Sequence, residues 1–312
     1  MMFFERALSI SGKIPMSRLA HNFHGHTKIE ILHNGPNIFE CALFAVNKPK
    51  DLGSTDAVNI IKNIIQPAIP PHDRVTFKVG HGGVLDRPAS GVLAIGVGKG
   101  CKLLPKFLHG IKEYTVTGKL GISTTTYNAS GDVTNEMPFG HVTKEDFIKA
   151  LDKFCGRISQ TPPVYSALKL QGRRYSDLAG EGVKVTPKPR MVKCLSLVCT
   201  SFDPPLFTLN VKCGGGFYIR SLINDLGIVV GSCAHVHELH RTQHGLFKEN
   251  EAIARDQWTL EQIKWCIQET KKKHGHLFRE QSEKYEREDP INKSKSTKHE
   301  KSIAFSDDLF DL

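Results

Sequence analysis

Residues 78–98 read Lys78-Val79-Gly80-His81-Gly82-Gly83-Val84-Leu85-Asp86-Arg87-Pro88-Ala89-Ser90-Gly91-Val92-Leu93-Ala94-Ile95-Gly96-Val97-Gly98. A histidine set among glycines leads to a single aspartate, then to a proline and an apolar run. Gly80, Gly82 and Gly83 allow positive φ or close approach of the backbone to a ligand. Pro88 fixes its own φ and pushes Arg87 toward an extended conformation. Val92–Val97 is short, β-branched and bounded by glycines, which predicts a buried strand. Asp86 therefore falls on a stiff loop at the edge of a strand, where a scaffold presents a reactive side chain. On this segment alone, a turn with a solvated aspartate fits equally well.

On the N-terminal side, Ala42–Asn47 is a short apolar strand followed by Lys48-Pro49. Gly53-Ser54-Thr55 then opens a helix through a hydroxyl N-cap, with Val58, Ile61 and Ile65 inward and Pro67 as its stop. On the C-terminal side, Gly100–His109 reads as a short helix. Lys112–Gly121 alternates, with Tyr114, Val116, Gly118 and Leu120 on one face. Thr143 caps a helix that carries Phe147, Ile148, Leu151 and Phe154 inward. Thr161-Pro162-Pro163 stiffens a loop that runs through Tyr165 and Lys169 to Arg173, Arg174 and Tyr175, a composition suited to phosphates and stacked bases. Two strands, Met191–Phe202 and Phe207–Cys213, precede Gly214-Gly215-Gly216 and a helix containing Arg220. No G-x-x-x-x-G-K-[ST] accompanies the glycines, which excludes a P-loop. Leu239-His240-Arg241-Thr242 follows, and a final helix is expected from about Leu260 to Thr270.

The 312 residues are 24% charged and 39% hydrophobic, an ordinary globular composition. No run of 18 apolar residues is present, so no membrane partner is expected. Eight dispersed cysteines without C-x-x-C argue against a zinc site or disulfide framework, and for a reducing compartment. The net charge is +10, of which residues 271–312 carry +1, so residues 1–270 hold +9. That suits a polyanionic partner without naming one.

His-Gly-Gly-x-Leu-Asp followed by Gly-Val-Leu resembles the catalytic motif of the TruB-type pseudouridine synthases. The resemblance continues through Lys48-Pro49, Lys112-x-Tyr114-x-Val116, Pro162-Pro163-x-Tyr165-Ser166-Ala167-Leu168-Lys169, Gly216-x-Tyr218-Ile219-Arg220-x-Leu222 and the segment at Leu239–Phe247. It implies an α/β (α+β) catalytic domain with a central mixed, largely antiparallel sheet flanked by helices. It implies isomerisation of uridine to pseudouridine in the tRNA T-loop, at position 55, and at T-loop-like sites in mRNA. In that reading Asp86 is the nucleophile, Arg220 its ion-pair partner, and Tyr114 stacks on the target base. His81 fills the space left by the flipped uridine, and Tyr218 and Leu239 pack near it. Tyr165, Lys169, Arg173, Arg174 and Arg241 contact RNA. Lys48 is either a phosphate contact or part of a structural ion pair. The isomerisation has no redox change, so no cofactor and no metal are expected. The residues leave open whether Asp86 attacks C1′, attacks C6 or removes the 2′ proton.

Residues 41–270 are expected to form the catalytic domain of a monomer. Residues 1–40 are a variable extension whose first 28 weakly resemble a mitochondrial transit peptide, and 271–312 a charged, disordered tail. No room is left after Lys271 for the PUA domain of bacterial members. Nucleus or cytoplasm is the expected compartment, mitochondrion the alternative. A non-catalytic RNA-binding or RNA-folding protein is the competing functional reading. A paired-carboxylate glycosidase is rejected because the matched motifs hold no second acid.

Overall fold

The computed structural model describes residues 37–75 and 77–288, with side chains described to residue 278. Residues 1–36 of the expected extension and residues 289–312 of the expected tail lie outside the described residues.

Ten strands form one sheet: β1 (Cys41–Lys48), β2 (Val79–His81), β3 (Ser90–Gly98), β4 (Lys112–Leu120), β5 (Gly156–Gln160), β6 (Arg190–Asp203), β7 (Leu206–Cys213), β8 (Ala234–His244), β9 (Phe247–Lys248) and β10 (Ala252–Ile253). Their order is β10-β1-β3-β8-β4-β7-β6-β5, with β2 on β3 and β9 on β8. Pairing is antiparallel except at β1–β10 and β3–β8. The sheet is thus mixed and largely antiparallel, as expected.

The β3–β8 contact is short, with His240 opposite Ser90 and Arg241 opposite Gly91. It forms a seam between two antiparallel halves, each with its own core. Behind β1 and β3, α1 (Ser54–Ile65) buries Ala57, Val58, Ile61 and Ile65. Behind β4, β7 and β8, α3 (Lys144–Leu151) and α5 (Ile219–Val229) bury Phe147, Leu151, Leu222, Ile223 and Leu226. Each of these Val, Leu, Ile and Phe side chains removed from water contributes about 2 kcal/mol before entropy is counted. Between these elements lie two short helices, α2 (Leu104–His109) and α4 (Tyr175–Gly180). The seam itself demands a glycine. Gly91 sits at φ +114, and a Cβ there would lie 2.2 Å from the Arg241 carbonyl oxygen.

Three expectations need correction. Ser54 does not cap α1: the cap is Gly53, and the Ser54 hydroxyl instead bonds both the Leu85 carbonyl and the Leu85 N–H at 2.9 Å. Ile148 is 45% exposed rather than inward, because the helix turns Phe147, Ala150 and Leu151 to the core. The chain beyond Lys271 does not lose structure at once. Helix α6 runs Leu260–Glu288, with a break in helical geometry at His274. Its extension is held by Lys273 to Glu251 at 3.1 Å, by the His274 ring against Phe247, and by Phe278 on the core.

Candidate active site

Asp86 lies on the loop between β2 and β3, on one side of the seam; Arg220, in the first turn of α5, comes from the other. Arg220 Nε meets Asp86 Oδ2 at 2.7 Å and Nη2 meets Oδ1 at 3.2 Å, a two-point pair. Two of the three remaining guanidinium donors go to the carbonyls of Thr126 at 3.0 Å and Tyr165 at 2.9 Å. The arginine side chain is 8% exposed and the aspartate 29%, so the pair is half-covered and the carboxylate faces outward. Arg87, next in sequence, turns away to Asp56 at 2.9 Å.

The pair opens into a cavity of about 220 Å³ whose wall includes Leu239, Asn128, Ser130 and His237. Lys50 and Asp51 complete the rim. Asp51, on exposed backbone at φ +64, is a second acid at the rim, outside the residues matched to the family motifs.

The loop bearing Asp86 is fixed from below, carbonyl by carbonyl. His244 Nε2 bonds the Gly82 carbonyl at 3.2 Å. The Arg241 guanidinium reaches the carbonyls of Gly83 and Val84, and its Nε donates to Val92 at 2.7 Å. Ser54 takes Leu85. The Lys48 ammonium donates to Arg87 at 3.3 Å and Ala89 at 2.5 Å, as well as to Pro49 and Leu52. Asp86 keeps its own carbonyl for Ala89 N–H at 3.1 Å.

Lys48 and Arg241 are both fully buried. That corrects their assignment as RNA contacts: the Lys48 donors go to backbone carbonyls, and those of Arg241 go to backbone carbonyls and the Tyr114 hydroxyl. Burial, together with the nearby Arg241 charge, lowers the Lys48 pKa to about 8. Burial likewise pulls Arg241 down. His244 is pushed far below the usual histidine range by burial and by the Arg241 and Lys112 charges, so it is neutral. With Ala94 N–H donating to Nδ1 at 3.2 Å, its proton sits on Nε2.

Tyr114 is 8% exposed on β4, hydrogen-bonded to Arg241, and burial raises its hydroxyl to about 12. A phenol so placed stays protonated near neutrality and is a poor base. His81 is half-buried, and its Nδ1 accepts Gly83 N–H at 3.3 Å. Burial and the charges of Arg241 and Arg174 lower its pKa. Tyr218 is the residue before α5, and burial raises its hydroxyl too. Lys169, Arg173 and Arg174 stand exposed on a two-stranded hairpin, Lys169–Leu170 with Arg173–Arg174. There Arg173 pairs with Glu181.

The structure thus brings Asp86, Arg220 and Leu239 to one cavity, with Tyr114 and Tyr218 close behind. The basic hairpin is a separate surface element. Sequence reasoning missed Lys50, Asn128, Ser130 and His237 on the cavity wall, and His244 and Ser54 beneath the loop. Only Lys50 left a signal, as a second lysine beside Lys48-Pro49.

Residues 73–219 match the TruB family pseudouridylate synthase N-terminal domain, and residues 220–281 the tRNA pseudouridylate synthase B C-terminal domain. The pseudouridylate synthase TRUB1 of Homo sapiens is 45% identical over 71% of this chain and 66% of its own length. The corresponding mouse protein (Mus musculus) is 43% identical over 72% and 70%. The tRNA pseudouridine synthase B of Geotalea uraniireducens is 37% identical over 68% and 66%. Among solved structures, a Cbf5-Nop10-Gar1 complex has a chain that superposes with a TM-score of 0.54 at 26% identity, covering 78% of this chain and 60% of that one. The chain spans about two thirds of the length of these curated relatives.

Proposed function

The chain belongs to the TruB family of pseudouridylate synthases, and from that premise we propose that it isomerises the T-loop uridine of tRNA, with Asp86 as the nucleophile. The observation that carries the proposal is the two-point pair of Asp86 with Arg220 at the mouth of a cavity bounded by Leu239.

In this reading the target uridine leaves its stack and enters the cavity. The N1–C1′ bond breaks, the base turns, C5 joins C1′ and loses its proton, and N1 gains one. The Asp86 carboxylate forms a bond to the reacting nucleoside that is broken again before product leaves, which regenerates the free carboxylate. Arg220 fixes the carboxylate's two oxygens and balances its charge once RNA has excluded water. Tyr114 packs against the base. The hairpin at Lys169–Arg174 and the basic surface grip the phosphates. Hairpins in mRNA that present the same loop shape are substrates by the same logic.

The test is product mapping: purified protein, an unmodified tRNA transcript and no added cofactor, scored for pseudouridine by position. Product confined to the T-loop uridine supports the proposal. Tight tRNA binding without product would replace it with an RNA-binding role.

A further inference from the structure

The helix that carries Arg220 is held at its start by a side chain outside the cavity and outside the residues assigned above. Gln160 is the last residue of β5 and is 2% exposed. Both ends of its carboxamide engage one residue: Oε1 accepts Tyr218 N–H at 2.8 Å, and Nε2 donates to the Tyr218 carbonyl at 3.0 Å. Tyr218 is extended (φ −108, ψ 110), so its N–H and C=O point to the same side. The carboxamide meets them as the opposite residue of an antiparallel pair would. The same bonds satisfy an N–H that the start of a buried helix leaves without an intrahelical partner.

The residues that follow Gln160 repeat the attachment. The Thr161 carbonyl accepts the Ser221 hydroxyl at 2.7 Å, and the Tyr165 carbonyl accepts Arg220 Nη2 at 2.9 Å. Residues 160–165 therefore clamp 218, 220 and 221 in turn. Arg220 reaches Asp86 from the second position of α5, so a shift of that first turn moves both contacts at once.

We infer that Gln160 is a positioning residue for the uridine isomerisation, setting the first turn of α5 so that Arg220 meets both oxygens of Asp86. The inference rests on the function proposed above. Gln160 touches neither substrate nor Asp86, and it acts through Tyr218 and Arg220. A misplacement of about 1 Å in such a frame is enough to cost up to about 100-fold in rate.

The experiment compares Gln160→Met, which keeps the length and removes both hydrogen bonds, with Gln160→Asn, which keeps a neutral carboxamide but withdraws it by one methylene. Single-turnover rates on a tRNA transcript, tRNA affinity and the exchange rate of the Arg220 Nε–H by nitrogen-15 NMR are read for each. The expected result for Gln160→Met is a rate about 10- to 100-fold lower, tRNA affinity within about twofold of wild type, and Nε–H exchange at least about tenfold faster. Gln160→Asn falls between, and it carries the test if the Met protein does not fold. Wild-type rates overturn the inference, as does a parallel loss of rate and affinity with Nε–H exchange unchanged, the mark of a merely structural residue. If wild-type protein makes no pseudouridine on any transcript, the proposed function fails, while the Nε–H exchange still decides whether Gln160 holds Arg220.

Discussion

Replacing Lys48 with Met removes the one ammonium that ties the Asp86 loop to the end of β1. Four carbonyls, of Pro49, Leu52, Arg87 and Ala89, lose their donor. An ammonium has three N–H groups, so three hydrogen bonds are lost, each worth about 1 kcal/mol net of desolvation, or about 3 kcal/mol in all. Burial already pulls the Lys48 pKa down to about 8, which keeps this figure at the low end for bonds from a charged donor. For a domain of this size each kcal/mol lowers Tm by about 2–4 °C. Lys48→Met is expected to melt about 6–12 °C below wild type in a thermal scan followed by circular dichroism. Because Arg87 and Ala89 flank the aspartate, single-turnover pseudouridine formation should fall at least about tenfold at a temperature where the variant is still folded. A Tm within about 2 °C of wild type would refute the reasoning, since the carbonyls would then have no need of the lysine.

Tyr114→Phe deletes a hydroxyl that burial holds at about 12 and that bonds Arg241. It should cost about 1–2 kcal/mol of stability but less than about tenfold in turnover; a loss of three orders of magnitude would make the phenol a proton carrier after all. His244 stays neutral in the fold while the unfolded chain takes up a proton below about 6.5. The unfolded state then binds more protons, so stability falls with falling pH, by up to about 1.4 kcal/mol per pH unit from this group. Urea titrations of His244→Gln between pH 7 and 5 should show a shallower slope than wild type, and equal slopes would reject the neutral assignment. Replacing Lys169 and Arg174 together by Ala should lower the slope of log affinity for tRNA against log salt by about 2, with turnover at saturating RNA little changed. An unchanged slope would remove the hairpin from the RNA interface.

Much of this site was legible because its parts are local. The glycine–aspartate–proline loop ahead of β3, the alternation that turns Tyr114 inward on β4, and the glycines before the Arg220 helix each announce themselves within a dozen residues. What stayed hidden is what the seam brings together. Lys48 and Arg241 look like surface cations on any linear reading. They are buried because the end of β1 and the middle of β8 run beneath the same loop, whose carbonyls need donors. His244 gives no signal for the same reason: its partners, Gly82 and Ala94, are some 150 residues away in sequence. The α6 extension was missed because few apolar residues hold it, Phe278 among them, so its periodicity is weak although its contacts are real.

Asp86→Asn is the most direct measurement of the central claim. The substitution keeps the size of the side chain and one oxygen for Arg220, and removes the nucleophilic carboxylate. Incubated with an unmodified tRNA transcript, the variant is predicted to bind with affinity within about threefold of wild type and to form no pseudouridine at the T-loop uridine over many wild-type half-lives. Product formed at the wild-type rate would contradict the assignment of Asp86 and, with it, the chemistry built on the Asp86–Arg220 pair.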